Sequence, residues 1–188
     1  MTDNEFQSAM DALVNGNKNG LKAIYDAYMK LIYAVVYDVV KRREDAEDVT
    51  SEFFIKLIRV APTFKKGSPH KTWLVTIARN MAIDFIRKNN REILEYDNEN
   101  SSESVIERNA DSQGGSAVEE KAVLAEDMRQ AMSTLSAKEK EVIDLKLIGQ
   151  LKFKEIAQVT GQPMGTVTWL YNQGIIKLRR CLSSYEKG

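Results

Sequence analysis

The sequence predicts an all-α protein with two helical domains, an N-terminal helical bundle and a C-terminal helix-turn-helix domain, joined by an acidic flexible linker. Apolar residues recur every three or four positions along most of the 188 residues, as they do in amphipathic helices. The chain has only 3 prolines, which leaves room for long helices. The periodicity lapses between about 92 and 117, where the composition is polar and acidic. We therefore assign residues 1–91 and 118–188 to the two domains and residues 92–117 to the linker.

The first domain is predicted to contain three helical segments that share one core. Residues from about 4 to 41 form the first segment, and residues from about 44 to 60 form the second. The third follows a loop, with Ser68 as its N-cap and Pro69 at its first helical position, and runs to about Asn89. Steps of three and four predict the buried stripes of the second and third helices, which are Ala46, Val49, Phe53, Leu57 and Val60, and Leu74, Ile77, Ala78, Met81 and Phe85.

The second domain carries two local signals. A capping box over residues 136–139 places a helix start at its first residue, a serine. Residues 154–167 then form two helices joined by a tight turn. Ala157 is small where the helices would cross, Gly161 stands where the chain turns, and Val167 would pack the second helix onto the first. This pattern is typical of a helix-turn-helix unit, and the alternative is a helical hairpin that only packs.

Composition excludes several classes of function. The single cysteine, Cys181, excludes an internal disulfide framework, and a single histidine argues against a zinc site. Asp45 and Asp48 resemble a carboxylate pair, but no acid–base partner, glycine-rich phosphate loop or nucleophile motif accompanies them. We predict no enzyme activity, no cofactor and no metal. The sequence begins with no signal peptide, and its longest apolar run, residues 31–37, is too short to span a membrane, which predicts a soluble cytoplasmic protein without membrane insertion.

Charge is unevenly distributed although the net charge is zero. Residues 64–91 hold 7 basic and 1 acidic side chains, whereas residues 92–136 hold 3 basic and 11 acidic ones. A basic block of helical periodicity with aromatic residues is a reasonable footprint for nucleic acid. The alternative is a solvated basic face.

One face of the second helix carries charged side chains at steps of three and four, namely Asp45, Asp48, Glu52, Lys56 and Arg59. We call its three carboxylates, Asp45, Asp48 and Glu52, the acidic face. Carboxylates near a helix start suit the helix dipole, which is one explanation for them. The other is a docking surface for a basic partner.

Two further sets of side chains are candidates for contact with nucleic acid. In the basic block, lysines beside a helix N-terminus can hold phosphates, and flat rings can stack on an unpaired base. These candidates are Phe64, Lys65, Lys66, Ser68, His70, Lys71, Trp73, Thr76, Asn80, Arg87, Lys88 and Arg91. Trp73 has a core alternative, since it adjoins the apolar stripe, and His70 an ordinary loop alternative. In the second domain, Asn and Gln can read adenine and Thr can contact a thymine methyl. Those candidates are Lys152, Thr166, Thr168, Trp169, Asn172, Gln173, Lys177, Arg179 and Arg180.

Three segments together resemble the bacterial RNA polymerase sigma factors of the sigma-70 family, in the small two-domain extracytoplasmic-function (ECF) group. Residues 45–57 are similar to the polymerase-binding helix of that family. Residues 72–88 are similar to the helix that recognises and melts the minus-ten promoter element. Residues 135–145, with Glu155-Ile-Ala and Gly165-Thr-Val, are similar to the domain that reads the minus-thirty-five element.

The resemblance implies a mechanism and its partners. The polymerase-binding residues would be Asp45, Asp48, Glu52, Phe53 and Lys56. The loop from Phe64 to Thr72 would hold a base flipped out of single-stranded minus-ten DNA, and the second domain would read duplex minus-thirty-five DNA. The linker would lie in a polymerase channel that otherwise carries RNA. An anti-sigma factor is a further expected partner.

One departure from the family lies after Val167, where several Lys or Arg residues are usual. Here basic side chains appear only from Lys177, so phosphate contacts are fewer. Trp169 and the pair Ile175-Ile176 could instead contact a protein, and Gly174 weakens the helix. Two alternatives therefore stay open, a DNA-binding regulator that never binds polymerase and a sigma-like protein-interaction module.

Overall fold

The computed structural model describes the backbone of residues 1–99 and 131–185, and the side chains of residues 1–89 and 131–181. In this described part the regular structure is helical, and the chain divides into two compact units. The all-α prediction with two helical units is therefore confirmed. The first unit contains α1 (Asp3–Val14), α2 (Lys18–Val40), α3 (Arg43–Val60), a 3₁₀ turn (Ala61–Thr63) and α4 (His70–Glu99). The second contains α5 (Ala137–Leu147), α6 (Phe153–Thr160) and α7 (Met164–Tyr185).

The predicted first helical segment is interrupted, and the prediction of one continuous segment from 4 to 41 is wrong. Gly16 has a positive φ of 78°, and the Asn17 side chain caps α2 by accepting from the Asn19 N–H over 2.9 Å. These local hydrogen bonds compete with a continuous helix. As a result α1 packs back onto α2, which contacts all three other helices of the unit.

The core of the first unit follows the predicted stripes with some shifts. Ala46, Val49, Phe53 and Leu57 are buried as predicted, whereas Val60 is half-buried and Phe54 is buried in addition. On α4 the predicted Leu74 and Ala78 are buried, together with Val75 and Ala82, while Ile77, Met81 and Phe85 are half-buried. Because α4 packs against two neighbours, its buried face is rotated from the predicted one.

The ends of α4 also differ from the prediction. The Pro69 carbonyl accepts the first helical hydrogen bond, from Trp73 N–H over 3.1 Å, so the helix begins at His70 and Ser68 lies before the cap. At the other end α4 reaches Glu99, eight residues into the predicted linker. Linker residues 100–117 lie outside the described residues, and the domain boundaries stay predictions.

The second unit confirms both local signals. Ser136 caps α5, and Glu139 returns the bond by accepting from the Ser136 N–H over 2.8 Å. Gly161 ends α6 in the left-handed conformation, at φ 70°, and Val167 is fully buried in α7. Together α6, the turn and α7 form the predicted helix-turn-helix.

Candidate protein and nucleic-acid interfaces

The acidic face lies on the solvent side of α3. Asp48 and Glu52 are exposed, and Asp45 is half-buried with a carboxylate oxygen 3.8 Å from the Arg42 guanidinium. Lys56 is half-buried and Arg59 is exposed farther along the helix. Two unburied carboxylates at a spacing of four therefore offer negative charge to a partner.

Phe53 does not belong to this surface. Its side chain is 0% exposed because it lies in the buried stripe with Val49 and Leu57. The prediction that Phe53 contacts a partner is therefore wrong, and the residue supports α3 from the core. Sequence reasoning instead missed Ile55 and Ile58, which are 62% and 47% exposed. Both residues lie outside the buried stripe of α3, and this position in the sequence pattern indicates that they are exposed.

His70 is a core residue, so its predicted contact with DNA is wrong. Its ring stacks on Phe6, with 4.5 Å between centroids and 17° between planes. Its Nδ1 lies 2.6 Å from Asp3 Oδ1, and its Nε2 lies 2.5 Å from the Tyr28 hydroxyl. A carboxylate only accepts, so we assign the proton to Nδ1, which leaves Nε2 of the neutral ring to accept from Tyr28.

Burial determines the protonation states of His70 and Tyr28. Desolvation lowers the pKa of His70 below its ordinary 6.5, and Lys71 and the N-terminus act in the same direction, while the Asp3 carboxylate opposes them. Burial, with help from Asp3 and Glu5, raises the pKa of Tyr28 to about 12. Both rings are therefore uncharged at neutral pH. The hydrogen bond that His70 donates to Asp3 joins α4 to α1, and the one that Tyr28 donates to His70 joins α2 to α4.

The loop of residues 64–69, which we call the nucleotide loop, presents half-buried rings and exposed cations. The Phe64 ring meets Trp73 edge-on at 5.0 Å and meets Phe6 edge-on at 5.3 Å. Phe64 and Trp73 are both half-buried. Lys65 and Lys66 are exposed, and the Lys66 ammonium lies 3.3 Å from a carboxylate oxygen of Asp11 in α1.

Beyond the nucleotide loop, Thr76, Asn80 and Arg87 follow one side of α4. Thr76 donates to the Thr72 carbonyl over 2.8 Å, and Asn80 is exposed. Arg87 lies 3.8 Å from Asp84, an exposed pair that water screens. The remaining candidates are Ser68 and Lys71, which are half-buried, Lys88, which is exposed, and Arg91, whose side chain lies outside the described residues.

In the second unit the outer side of α7 combines polar and apolar side chains. Trp169 is 59% exposed, and Asn172 and Ile176 are exposed on the same side at steps of three and four. Thr166 is exposed, Thr168 donates to the Met164 carbonyl over 2.9 Å, and Gln173 is half-buried. Arg179, Arg180 and the Lys152 side chain are exposed.

Lys177 of α7 has a partner within the protein. Its ammonium donates to the Glu139 carboxylate over 2.7 Å, and Glu139 is buried beneath α7. That hydrogen bond with Lys177 is the main cause that lowers the pKa of Glu139. A tertiary bond between α5 and α7 therefore holds the Lys177 charge, while its side chain stays 41% exposed, and its contact with DNA remains a prediction.

Two negative findings concern only the described residues. No described helix is long and apolar enough to cross a membrane. Among the same residues no three His, Cys, Asp or Glu side chains cluster as metal ligands would.

Comparison with known proteins identifies both units. Sigma-70 region 2 matches residues 24–92, and sigma-70 region 4 matches residues 125–178. The RNA polymerase sigma factor SigV of Bacillus subtilis is 30% identical over 149 residues, which cover 79% of this chain and 81% of SigV. The ECF sigma factor BldN of Streptomyces coelicolor is 27% identical over 168 residues, 89% of this chain, and the match spans only 62% of BldN.

The fold has known counterparts as well. The sigma factor RpoE of Bartonella quintana, solved in complex with the anti-sigma factor NepR, gives a TM-score of 0.59 at 24% identity and covers 88% of this chain and 98% of its own. Helical architecture, the order of the two regions and the sequence relatives agree. The chain belongs to the sigma-70 family of RNA polymerase sigma factors, in the ECF group.

Proposed function

We propose that this chain binds bacterial core RNA polymerase and directs it to promoters. The first unit holds core polymerase and melted minus-ten DNA, and the second reads the minus-thirty-five duplex. The exposed acidic face of α3, bordered by exposed isoleucines, is the observation that carries the proposal. In this mechanism the chain itself makes and breaks no covalent bond.

The α3 surface fits a basic helical partner with apolar side chains. Asp48 and Glu52 supply charge for ion pairs, and Ile55 supplies apolar area between them and the end of the helix. A side chain that is 62% exposed gains most of its burial from a partner, whereas a core residue gains nothing. We assign the polymerase contact to Asp45, Asp48, Glu52, Ile55 and Lys56.

The nucleotide loop suits a single-stranded base. Exposing a base costs a few kcal/mol of lost stacking and pairing, which a ring surface must offset. The accessible parts of Phe64 and Trp73 supply that surface, and Lys65 and Lys66 supply cations for the backbone phosphates. Asn80, Arg87 and Lys88 continue the polar side of α4 and extend the contact along the strand.

The outer side of α7 is the proposed reader of duplex DNA. Thr166 and Asn172 are exposed and can reach base edges in the major groove, while Arg179 and Arg180 can hold phosphates. The same side carries the exposed Trp169 and Ile176, which are apolar enough for a protein contact. The RpoE relative is held by an anti-sigma factor, and we propose a partner of that class for this chain. Action on polymerase also implies residence in the cytoplasm.

The test is transcription in vitro with core polymerase and a promoter library, with and without this chain. Asp48→Lys reverses one charge on the acidic face, and Asp26→Lys makes the same change on an exposed carboxylate of α2. We expect Asp48→Lys to weaken core binding at least tenfold and Asp26→Lys to leave it unchanged. A promoter-selective wild type supports the sigma-factor mechanism.

Two results would contradict the proposal. Salt-dependent binding of the chain to DNA with no affinity for core polymerase would favour a regulator that acts alone. Core binding without initiation at any promoter would favour a sigma-like module that serves a protein partner.

A further inference from the structure

Helix α1 makes three separate contacts with the nucleotide loop and with His70, the residue that follows it. Phe6 meets Phe64 edge-on at 5.3 Å, Asp11 pairs with Lys66 at 3.3 Å, and Asp3 accepts from His70 Nδ1 at 2.6 Å. The loop lies between the 3₁₀ turn and α4, and α1 also packs against that turn. The loop is thus held from one side by a helix that supplies none of the candidate DNA contacts.

From these contacts we propose that α1 is a positioning element for the nucleotide loop and sets its preference among bases. The inference rests on the proposed function, because it concerns how that loop meets single-stranded DNA. The rings of Phe6 and His70 stack on each other, and the Phe64 ring meets both Phe6 and Trp73 edge-on. A change in α1 therefore moves the ring on which a base would stack.

The close packing of α1 against α2 depends on Gly20 of α2. A Cβ at position 20 would lie 2.3 Å from the Ala9 carbonyl oxygen and 2.7 Å from the Leu13 amide nitrogen. Both are backbone atoms, so α1 must shift to admit a methyl group. Gly20→Ala is therefore a way to move α1 without altering any residue of the loop.

Asp3 offers a milder change. Its side chain is 87% exposed, so its replacement removes little packing. Asp3→Ala removes the acceptor for His70 Nδ1, whereas Asp3→Asn keeps a carbonyl oxygen that can accept the same proton. Asp26→Ala, on an exposed carboxylate of α2, serves as the control for the lost charge.

The experiment uses the full chain bound to core polymerase and measures which bases are preferred in the melted minus-ten element, by selection from randomised promoters. We expect Asp3→Ala to reduce the base preference by up to about fivefold, because the loss of one supporting hydrogen bond between His70 and α1 sets the upper limit. Gly20→Ala should reduce it at least as much, and Asp3→Asn and Asp26→Ala should resemble the wild type. Core affinity should stay the same in all four.

Unchanged base preference in Asp3→Ala and Gly20→Ala, with core affinity intact, would overturn the role of α1 while leaving the proposed function in place. Equal losses in Asp3→Ala and Asp26→Ala would also overturn it, since lost negative charge alone would explain them. Failure of the wild type to initiate at any promoter would instead count against the proposed function, and the role of α1 would fall with it.

Discussion

The ammonium of Lys177 and the carboxylate of Glu139 lie 2.7 Å apart and join α7 to the first turn of α5. The same carboxylate accepts from the Ser136 N–H over 2.8 Å, so one buried side chain completes a helix cap and a contact between helices. A buried carboxylate needs such partners to offset its lost hydration. Glu139 therefore ties the start of α5 to α7.

Replacement of Glu139 by Ala should destabilise the second unit by about 2 kcal/mol, since it removes both bonds while Lys177 regains some water. Glu155→Ala is the control, because Glu155 makes the same capping bond to the Lys152 N–H at the surface of α6, over 2.7 Å. It should cost about 1 kcal/mol or less. Urea unfolding followed by circular dichroism checks both, and equal losses would refute a special role for the Lys177 bond.

The pKa of Glu139 gives this prediction a pH dependence. The pKa is lowered from its ordinary 4.5, chiefly by Lys177, so the folded unit holds fewer protons than the unfolded chain as pH falls. The stabilisation is complete above 4.5 and is lost as pH falls through the lowered value. Wild type should therefore lose more stability than Glu139→Ala on acidification through this range.

Gly174 packs closely against Ile143 of α5. A Cβ there would lie 2.4 Å from Ile143 Cδ1, and Ile143 is buried. Gly174→Ala should therefore destabilise by about 1 kcal/mol, because overpacking exceeds the gain in propensity. Gly165→Ala, in the same helix with no atom within 4 Å of the added Cβ, should stabilise by up to ~1 kcal/mol.

A double substitution tests the cause of that loss. Ile143→Val removes Cδ1, the atom that the new methyl would meet, so the cost of Gly174→Ala should largely disappear in that background. Thermal unfolding of the two single variants and the double variant measures the coupling. Additive losses would show that the clash with Ile143 is not the cause.

The features that could be predicted from the sequence depend on residues close together in the chain. The capping box at Ser136 and the left-handed Gly161 were predictable because each depends on neighbours within a few residues. The acidic face was predictable for the same reason, since helical periodicity alone puts Asp48 and Glu52 on one side. Local geometry thus gave the elements and most of the exposed candidates.

The surroundings of His70 and Lys177 depend on partners far away in the sequence. Asp3 lies 67 positions from His70, and Glu139 lies 38 positions from Lys177. In the sequence, a lysine or histidine of a basic segment looks the same whether its side chain binds DNA or a distant carboxylate. Phe53 failed differently, because a residue of the buried stripe was also assigned to the surface.

The pKa of His70 should lie below 6.5 and can be measured directly, because it is the only histidine in the chain. The unfolded chain then takes up a proton before the folded one as pH falls, so stability is complete above 6.5 and decreases below it. NMR titration of the imidazole Cε1–H signal checks the midpoint. Asp3→Ala should lower it further, since the Asp3 carboxylate raises this pKa. A midpoint above 6.5 would mean that the pair with Asp3 outweighs burial.

The final prediction concerns which cation of α7 meets DNA. Arg179 is exposed, whereas the Lys177 ammonium is held by Glu139. If α7 reads the minus-thirty-five duplex, Arg179→Ala should weaken binding for all sequences and reduce the slope of log affinity against log salt by about 1. Lys177→Ala should leave that slope unchanged, because its charge is already paired with a carboxylate. The measurement is duplex binding by polymerase loaded with each variant at several salt concentrations, below the unfolding temperature of both. A reduced slope for Lys177→Ala would mean that the Glu139 bond opens when DNA binds. An unchanged slope for Arg179→Ala would mean that the outer side of α7, with Trp169 and Ile176, binds a protein partner instead of DNA.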